Sequence, residues 1–226
     1  MEGSVVVAFD PFTAPPADDI TSRGVRVGTA ASVLHKMFAA MPDRGLLENI
    51  SNPALLRMWP LRDEQSVQAA ATLEAGHEHG RDLSNEYARL FGPLGRVSLL
   101  GQDVGASLPA LYSKFGFTAP TPQLPAGHFA TQLAFVGHLA TFLAGLWREG
   151  DTQGARKVAH ALNDFLDSHT GPLAVHVVGG VRAESASPTY RAAGELVAAL
   201  VKEAAALAQE ALSLDPATAG PSETEI

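Results

Sequence analysis

The chain contains no cysteine, no long uninterrupted apolar run and comparatively little positive charge. The absence of cysteine excludes disulfide bonds, thiolate metal sites and a cysteine nucleophile. A membrane-spanning helix needs roughly 20 consecutive apolar residues. The longest candidate, residues 129–147, is interrupted at four polar positions: Thr131, Gln132, His138 and Thr141. We therefore expect no transmembrane segment.

Charge and the N-terminal composition bear on partner and compartment. The chain has 16 basic and 24 acidic residues, for a net charge of −8, which argues against a nucleic-acid surface and suits a basic peptide. Residues 1–10 lack a basic region, and their apolar run is too short for a signal peptide. We therefore expect a cytoplasmic protein that binds no nucleic acid.

The sequence shows no motif of a known catalytic chemistry. It contains no nucleophile elbow, phosphate-binding loop or dinucleotide fingerprint. His77 and His79 would point to different faces of a helix, whereas a catalytic zinc helix carries two histidines four positions apart. We therefore expect no enzyme activity, no cofactor and no metal site. The alternatives are a small helical metal-binding protein or enzyme using His77, His79 and His128, and a helical ligand-sensing domain.

Helical patterns follow one another along most of the chain. Apolar residues recur at spacings of three and four within residues 77–91, 129–147 and 188–214, which is typical of amphipathic helices. In the first of these, Leu90 and Phe91 are predicted to be buried. Capping residues are predicted to begin other helices, namely Thr21 or Ser22, Asn52 followed by Pro53, Asp63 and Ser187. Further helices are predicted to begin at Asp151 and at Thr170.

These patterns predict an all-α protein, a multi-helix bundle with a single folded domain over residues 21–214. Residues 1–20 are predicted to be a loose arm, in which residues 5–9 are compatible with a short strand. Residues 92–125 are rich in glycine and proline and are predicted to form a hinge around a short helix at about 107–115. Residues 215–226 are polar and acidic and are predicted to be disordered.

Several separated segments together resemble the TorD/DmsD/NarJ family of chaperones, which assist the maturation of molybdenum enzymes. The segments read EYARLFGP at residues 86–93, YSKFGF at 112–117, PAGHFATQLAF at 125–135, NDFLDSH at 163–169 and SPTY at 187–190. Their order and spacing cover roughly residues 80–205. The resemblance implies a TorD-like helical bundle, a monomer or a domain-swapped dimer, and no catalytic centre.

The resemblance also implies a site. It assigns client-peptide binding to six residues: Glu86, Tyr87, Tyr112, Gly127, His128 and Gln132. Two of them depart from the family pattern, since Gly127 replaces an aspartate and Gln132 replaces a glutamate. The implied function is a cytoplasmic chaperone that binds the apo catalytic subunit of a molybdopterin-dependent oxidoreductase, with its twin-arginine signal peptide, until the cofactor is inserted. The two replacements predict a weaker dependence on the arginine pair.

Overall fold

The structure is a computed structural model that describes residues 19–76, 78–101 and 107–214. Within these ranges regular structure is helical, apart from one isolated antiparallel bridge between Leu100 and His128, so the predicted all-α class is confirmed. Residues 1–18 and 215–226 lie outside the described residues, whereas Ile20, predicted to belong to the loose arm, is part of the first helix. The helices are α1 (Ile20–Ala39), α2 (Arg44–Ile50), α3 (Pro53–Arg57), α4 (Glu64–Ala75), α5 (Gly80–Phe91), α6 (Ser107–Lys114), α7 (Phe129–Arg148), α8 (Thr152–Phe165), α9 (Gly171–Glu184) and α10 (Pro188–Ser213), with a π-helical turn, Leu166–Thr170, between α8 and α9.

Short polar side chains begin several helices where the sequence predicts them. Asp63, Asp151 and Ser187 each accept the backbone N–H three residues ahead, at 2.8–3.2 Å. Asn52 accepts the N–H of Ala54 at 3.0 Å, and Pro53 occupies the first helical position. Each contact satisfies an N–H that has no partner within its helix.

The prediction that Thr21 or Ser22 caps the first helix is wrong. Asp19 is the N-cap of α1, and its carboxylate accepts the Ser22 N–H at 2.7 Å. A carboxylate is favoured at the positive end of a helix. The earlier start also brings Ile20, which is 2% exposed, into the helix and the core.

The close packing of α1 against α7 forms the centre of the bundle. Glycines permit this approach, because a Cβ on Gly24 would lie 2.6 Å from the Ala140 carbonyl oxygen and one on Gly137 would lie 2.8 Å from the Ala31 Cβ. Of the described helices, α7 alone is long and apolar enough to cross a membrane by length and composition, but 67% of its apolar window is buried inside the protein. It therefore serves here as the central core helix.

Helices from both ends of the chain share this core. The long helix α10 packs against α1, α4, α8 and α9, and α7 packs against α8. In α5, Leu90 is fully buried, as predicted. The prediction that Phe91 is buried is only partly right. Phe91 ends the helix and is half-buried, with its ring 5.6 Å from those of Phe38 and Tyr190.

The glycine- and proline-rich connection is anchored at several points. The Phe129 N–H donates to the Leu99 carbonyl at 2.7 Å, beside the bridge that joins Leu100 to His128. After α6, the ring of Phe117 packs 5.2 Å from that of Phe135 in α7. The predicted hinge region is thus fastened to the central helix on both sides of α6.

Candidate functional site

His128 is the N-cap of α7, not a residue of its first turn. Its ring Nδ1 accepts the Ala130 N–H at 3.2 Å, and its own N–H donates to the Pro125 carbonyl at 3.0 Å. Pro125 therefore lies in the turn that precedes the helix. The helix begins later because the imidazole nitrogen satisfies an N–H that would otherwise lack a partner.

A second buried histidine, His35 of α1, stands beside this helix start. Its Nδ1 lies 2.9 Å from the Ala130 carbonyl oxygen and its Nε2 lies 3.1 Å from the Thr121 hydroxyl. A carbonyl only accepts, so His35 donates from Nδ1 and its Nε2 accepts from Thr121. Burial, and then the proximity of His35, lower the pKa of His128 to about 4. His128 is therefore neutral at pH 7.

Glu86 is held by groups of the protein itself. Its carboxylate pairs with Arg89 at 2.8 and 2.9 Å and also accepts the Ser185 hydroxyl and the Ala186 N–H at 2.9 and 3.0 Å. The hydrogen bonds from Arg89 are the largest reason that the pKa of Glu86 falls from its usual 4.5 to about 2. Glu86 thus fastens α5 to the connection between α9 and α10, and a client arginine would compete with these bonds.

The two predicted tyrosines are buried, and both hydroxyls are engaged within the protein. The Tyr87 hydroxyl donates to the Phe38 carbonyl at 3.1 Å, and the Tyr112 hydroxyl donates to the Ala126 carbonyl at 2.8 Å. Burial raises the pKa of Tyr87 to about 12 and raises that of Tyr112 as well. Tyr87 therefore joins α5 to α1, and Tyr112 joins α6 to the turn before α7.

Gln132, one of the six predicted residues, lines an open cleft. The cleft has a volume of about 620 Å³. It lies between residues 98–101, the first turn of α7, the π-helical turn and the start of α9. Its described lining residues are Ser98, Leu100, Gly101, Gln132, Ser168, His169, Pro172, Leu173 and His176.

Gln132 lines this cleft and has an unused hydrogen-bond acceptor. Its Nε2 donates to the Gly127 carbonyl at 3.2 Å, and that carbonyl also accepts the Gly101 N–H at 3.1 Å. The residue is only 2% exposed, and its Oε1 has no hydrogen-bond partner in the described part of the chain. A buried acceptor without a partner costs roughly 1–3 kcal/mol. A ligand N–H that reaches Oε1 would recover that loss.

The opposite wall of the cleft is formed by the π-helical turn. Pro172 has no N–H, so the α-helical hydrogen bond to the Ser168 carbonyl cannot form, and the chain widens there instead. The turn places His169 in the cleft, where burial lowers the pKa of its imidazole. Leu100 is 54% exposed on the facing segment. The cleft therefore offers hydrogen-bonding groups beside apolar surface.

The alternative histidine site is not assembled in the described residues. His77 lies outside them, His79 is the N-cap of α5, and the Nδ1 of His128 is already engaged. No group of three or more histidine, aspartate or glutamate side chains in the described ranges is placed to hold a metal ion.

The structure adds residues that the sequence interpretation missed. His35 continues the apolar stripe of α1 formed by Val27 and Ala31, and a polar residue within such a stripe could have indicated it. His176 and Ser98 reach the cleft only through tertiary packing, and no local pattern marks them.

No protein-family model and no curated protein matches the chain.

Proposed function

We propose that the protein is a chaperone of the TorD/DmsD/NarJ type that binds a polypeptide client in the cleft beside Gln132. The proposed client is the apo catalytic subunit of a molybdopterin-dependent oxidoreductase, held by its twin-arginine signal peptide in the cytoplasm. The observation that carries the proposal is an open, partly apolar cleft whose lining includes Gln132, a residue with a buried Oε1 that has no hydrogen-bond partner in the described part of the chain. A client backbone N–H would donate to this oxygen, while Leu100 and Leu173 contact apolar client side chains.

The resembling segments support this choice, because two of them contribute residues to the cleft. Gln132 comes from residues 125–135 and His169 from residues 163–169. Their convergence is compatible with a shared peptide-binding surface. A helical core alone would not require an open cleft there.

The charge of the cleft predicts which interactions recognise the client peptide. None of its described lining residues is a carboxylate, whereas an arginine pair is best bound by carboxylates in bidentate geometry. Glu86 is already paired with Arg89. We therefore propose that recognition relies mainly on backbone hydrogen bonds and apolar contacts, with a smaller contribution from the arginines.

The test is titration of a fluorescein-labelled twin-arginine signal peptide, taken from a molybdopterin oxidoreductase of the same genome, by fluorescence anisotropy. Leu100→Asp should weaken binding by about tenfold or more, equivalent to about 1.4 kcal/mol. Leu94→Asp is the matched control, since Leu94 is a fully exposed leucine of the same loop that does not line the cleft. Equal losses in both variants, or no binding by the wild type, would contradict the proposal.

A Gly127→Asp variant tests whether an added carboxylate increases the contribution of the client arginines to binding. A Cβ at Gly127 meets only Leu108 Cδ1, at 4.0 Å, so the backbone leaves room for a Cβ there. The variant should make binding more dependent on the two client arginines than it is in the wild type. If replacing both arginines abolishes wild-type binding, the proposed backbone recognition is wrong.

A further inference from the structure

A second concavity lies between α1, α7 and the loop of residues 117–121 that follows α6. Its volume is about 510 Å³, which is within the range of small-molecule sites. Glycines of both helices stand in its lining, and the side chains around them include those of Ser32, Lys36, Phe117, Thr118, His138 and Thr141. The concavity therefore contains polar groups that a packing gap between two helices does not require.

Lys36 gives this concavity a positive charge. No aspartate or glutamate is among the described residues that line it. Lys36 is exposed, and its ammonium has no ion-pair partner in the ranges that the structure describes. An ammonium group forms charge-assisted hydrogen bonds with carboxylates and phosphates. The lining therefore favours an anionic ligand over a cationic one.

His138 adds an unused hydrogen-bond acceptor on the α7 side of the concavity. Its Nε2 lies 2.8 Å from the Phe115 carbonyl oxygen. A carbonyl only accepts, so Nε2 donates and the Nδ1 of the neutral ring is an acceptor. This Nδ1 has no hydrogen-bond partner among the described residues. The half-buried ring lies 5.4 Å from that of Phe117 and 6.2 Å from that of Phe135. Its neighbours thus fix the orientation of the imidazole while leaving one nitrogen without a partner.

Lys36 and His138 lie towards opposite ends of the concavity. A Cβ on Gly28 would lie 3.2 Å from the carbonyl oxygen of Gly137, the residue before His138, so Gly28 marks the His138 end. Lys36 lies eight positions further along α1, about 12 Å at a rise of 1.5 Å per residue. Phe117 lines the same concavity, and its ring offers an edge or a face to an aromatic ligand. The geometry fits an elongated ligand with an anionic group at one end and a hydrogen-bond donor at the other.

We propose that this concavity binds a small aromatic carboxylate that carries a hydroxyl group at its far end. The carboxylate pairs with the Lys36 ammonium, the hydroxyl donates to Nδ1 of His138, and the aromatic ring packs against Phe117. The proposal concerns a different surface from the cleft beside Gln132 and does not depend on the chaperone function.

Isothermal titration calorimetry of the full chain, with 4-hydroxycinnamate as the probe, tests the proposal. The wild type should bind this probe. Cinnamate lacks the hydroxyl and should bind about three- to tenfold more weakly, as expected for the loss of one hydrogen bond. 4-Hydroxycinnamyl alcohol lacks the carboxylate and should bind at least about tenfold more weakly, because hydrogen bonds between charged groups are stronger. The two analogues examine both ends of the ligand without altering the protein.

Two substitutions assign these losses to residues. Lys36→Met should weaken the binding of 4-hydroxycinnamate by about tenfold or more. Lys157→Met is the matched control, because Lys157 is an exposed lysine of α8 that does not line the concavity, and it should leave the affinity unchanged. In His138→Phe the acceptor nitrogen is removed, so 4-hydroxycinnamate and cinnamate should bind equally well.

Three results would overturn the proposal. The first is a wild type that binds none of the three compounds or binds them all equally. The second is an equal loss in Lys36→Met and Lys157→Met, which would indicate nonspecific attraction of the anion. The third is a preference for the hydroxylated probe that persists in His138→Phe. Circular dichroism checks that each variant is folded, and the comparison of analogues on the wild type decides the question even if a variant fails to fold.

Discussion

Replacing Glu86 with glutamine should destabilise the protein at neutral pH and much less in acid. The folded protein lowers the pKa of this carboxyl from 4.5 to about 2, and one pH unit corresponds to 1.36 kcal/mol. The full shift would be worth about 3 kcal/mol. Arg89, its main partner, has a side chain 42% exposed, so solvent screening reduces the expected contribution to about 1–2 kcal/mol.

The direction of the pH dependence follows from the lowered pKa. The unfolded chain takes up the Glu86 proton near pH 4.5, before the folded protein does. The stabilisation is therefore fully present above pH 4.5 and is lost as the pH falls towards 2. Glutamine has no such titration, so the difference between wild type and Glu86→Gln should shrink over that window.

The assay is urea unfolding of both proteins from about pH 7 down to about pH 3. Glu48→Gln is the matched control, because the Arg44–Glu48 pair also joins positions on one helix but its side chains are 92% and 63% exposed. It should leave the free energy of unfolding within error. A Glu86→Gln difference that stays constant across the pH range would refute the assignment of its effect to the carboxylate charge.

Two further predictions concern helix α7. The imidazole of His128 should titrate near pH 4, because burial and His35 lower its pKa. The NMR chemical shift of its Cε1 proton, assigned by comparison with His128→Asn, reports this titration. A midpoint near 6.5 would show that the ring is solvated. The stabilisation associated with neutral His128 should be lost as the pH falls from 6.5 towards 4. Gly137→Ala should destabilise the protein by about 1–3 kcal/mol through overpacking against α1. The control is Gly145→Ala in the same helix, where the added methyl group meets open space and should stabilise the protein by up to about 1 kcal/mol. Thermal unfolding that ranks the two variants the other way would refute the close packing.

The position of Glu86 also has a consequence for the client site. It bonds to Ser185 and Ala186, about 100 residues away in sequence. Glu78 makes a comparable contact, accepting the Ser187 hydroxyl at 2.8 Å and the Thr189 N–H at 2.9 Å. These carboxylates secure the start of α10. The acidic residues best placed to hold the fold are therefore not free to recognise a basic client.

The sequence by itself determined the helical class and many of the helix starts. Capping by Asp63, Asp151 and Ser187 uses atoms within three residues of one another, so a local pattern contains all the information that the contact needs. The periodicity of α7 and α10 is equally local, because a helix buries the same face along its whole length.

Only the tertiary structure decided the sites. Asp19 became the first cap because Ile20 is buried by other helices, and His128 became the cap of α7 beside His35, which is 93 positions away in the sequence. The cleft beside Gln132 depends on the packing of residues 98–101 against α7 and on the π-helical turn before Pro172. Such contacts depend on how separate helices meet, which spacing within one segment does not specify.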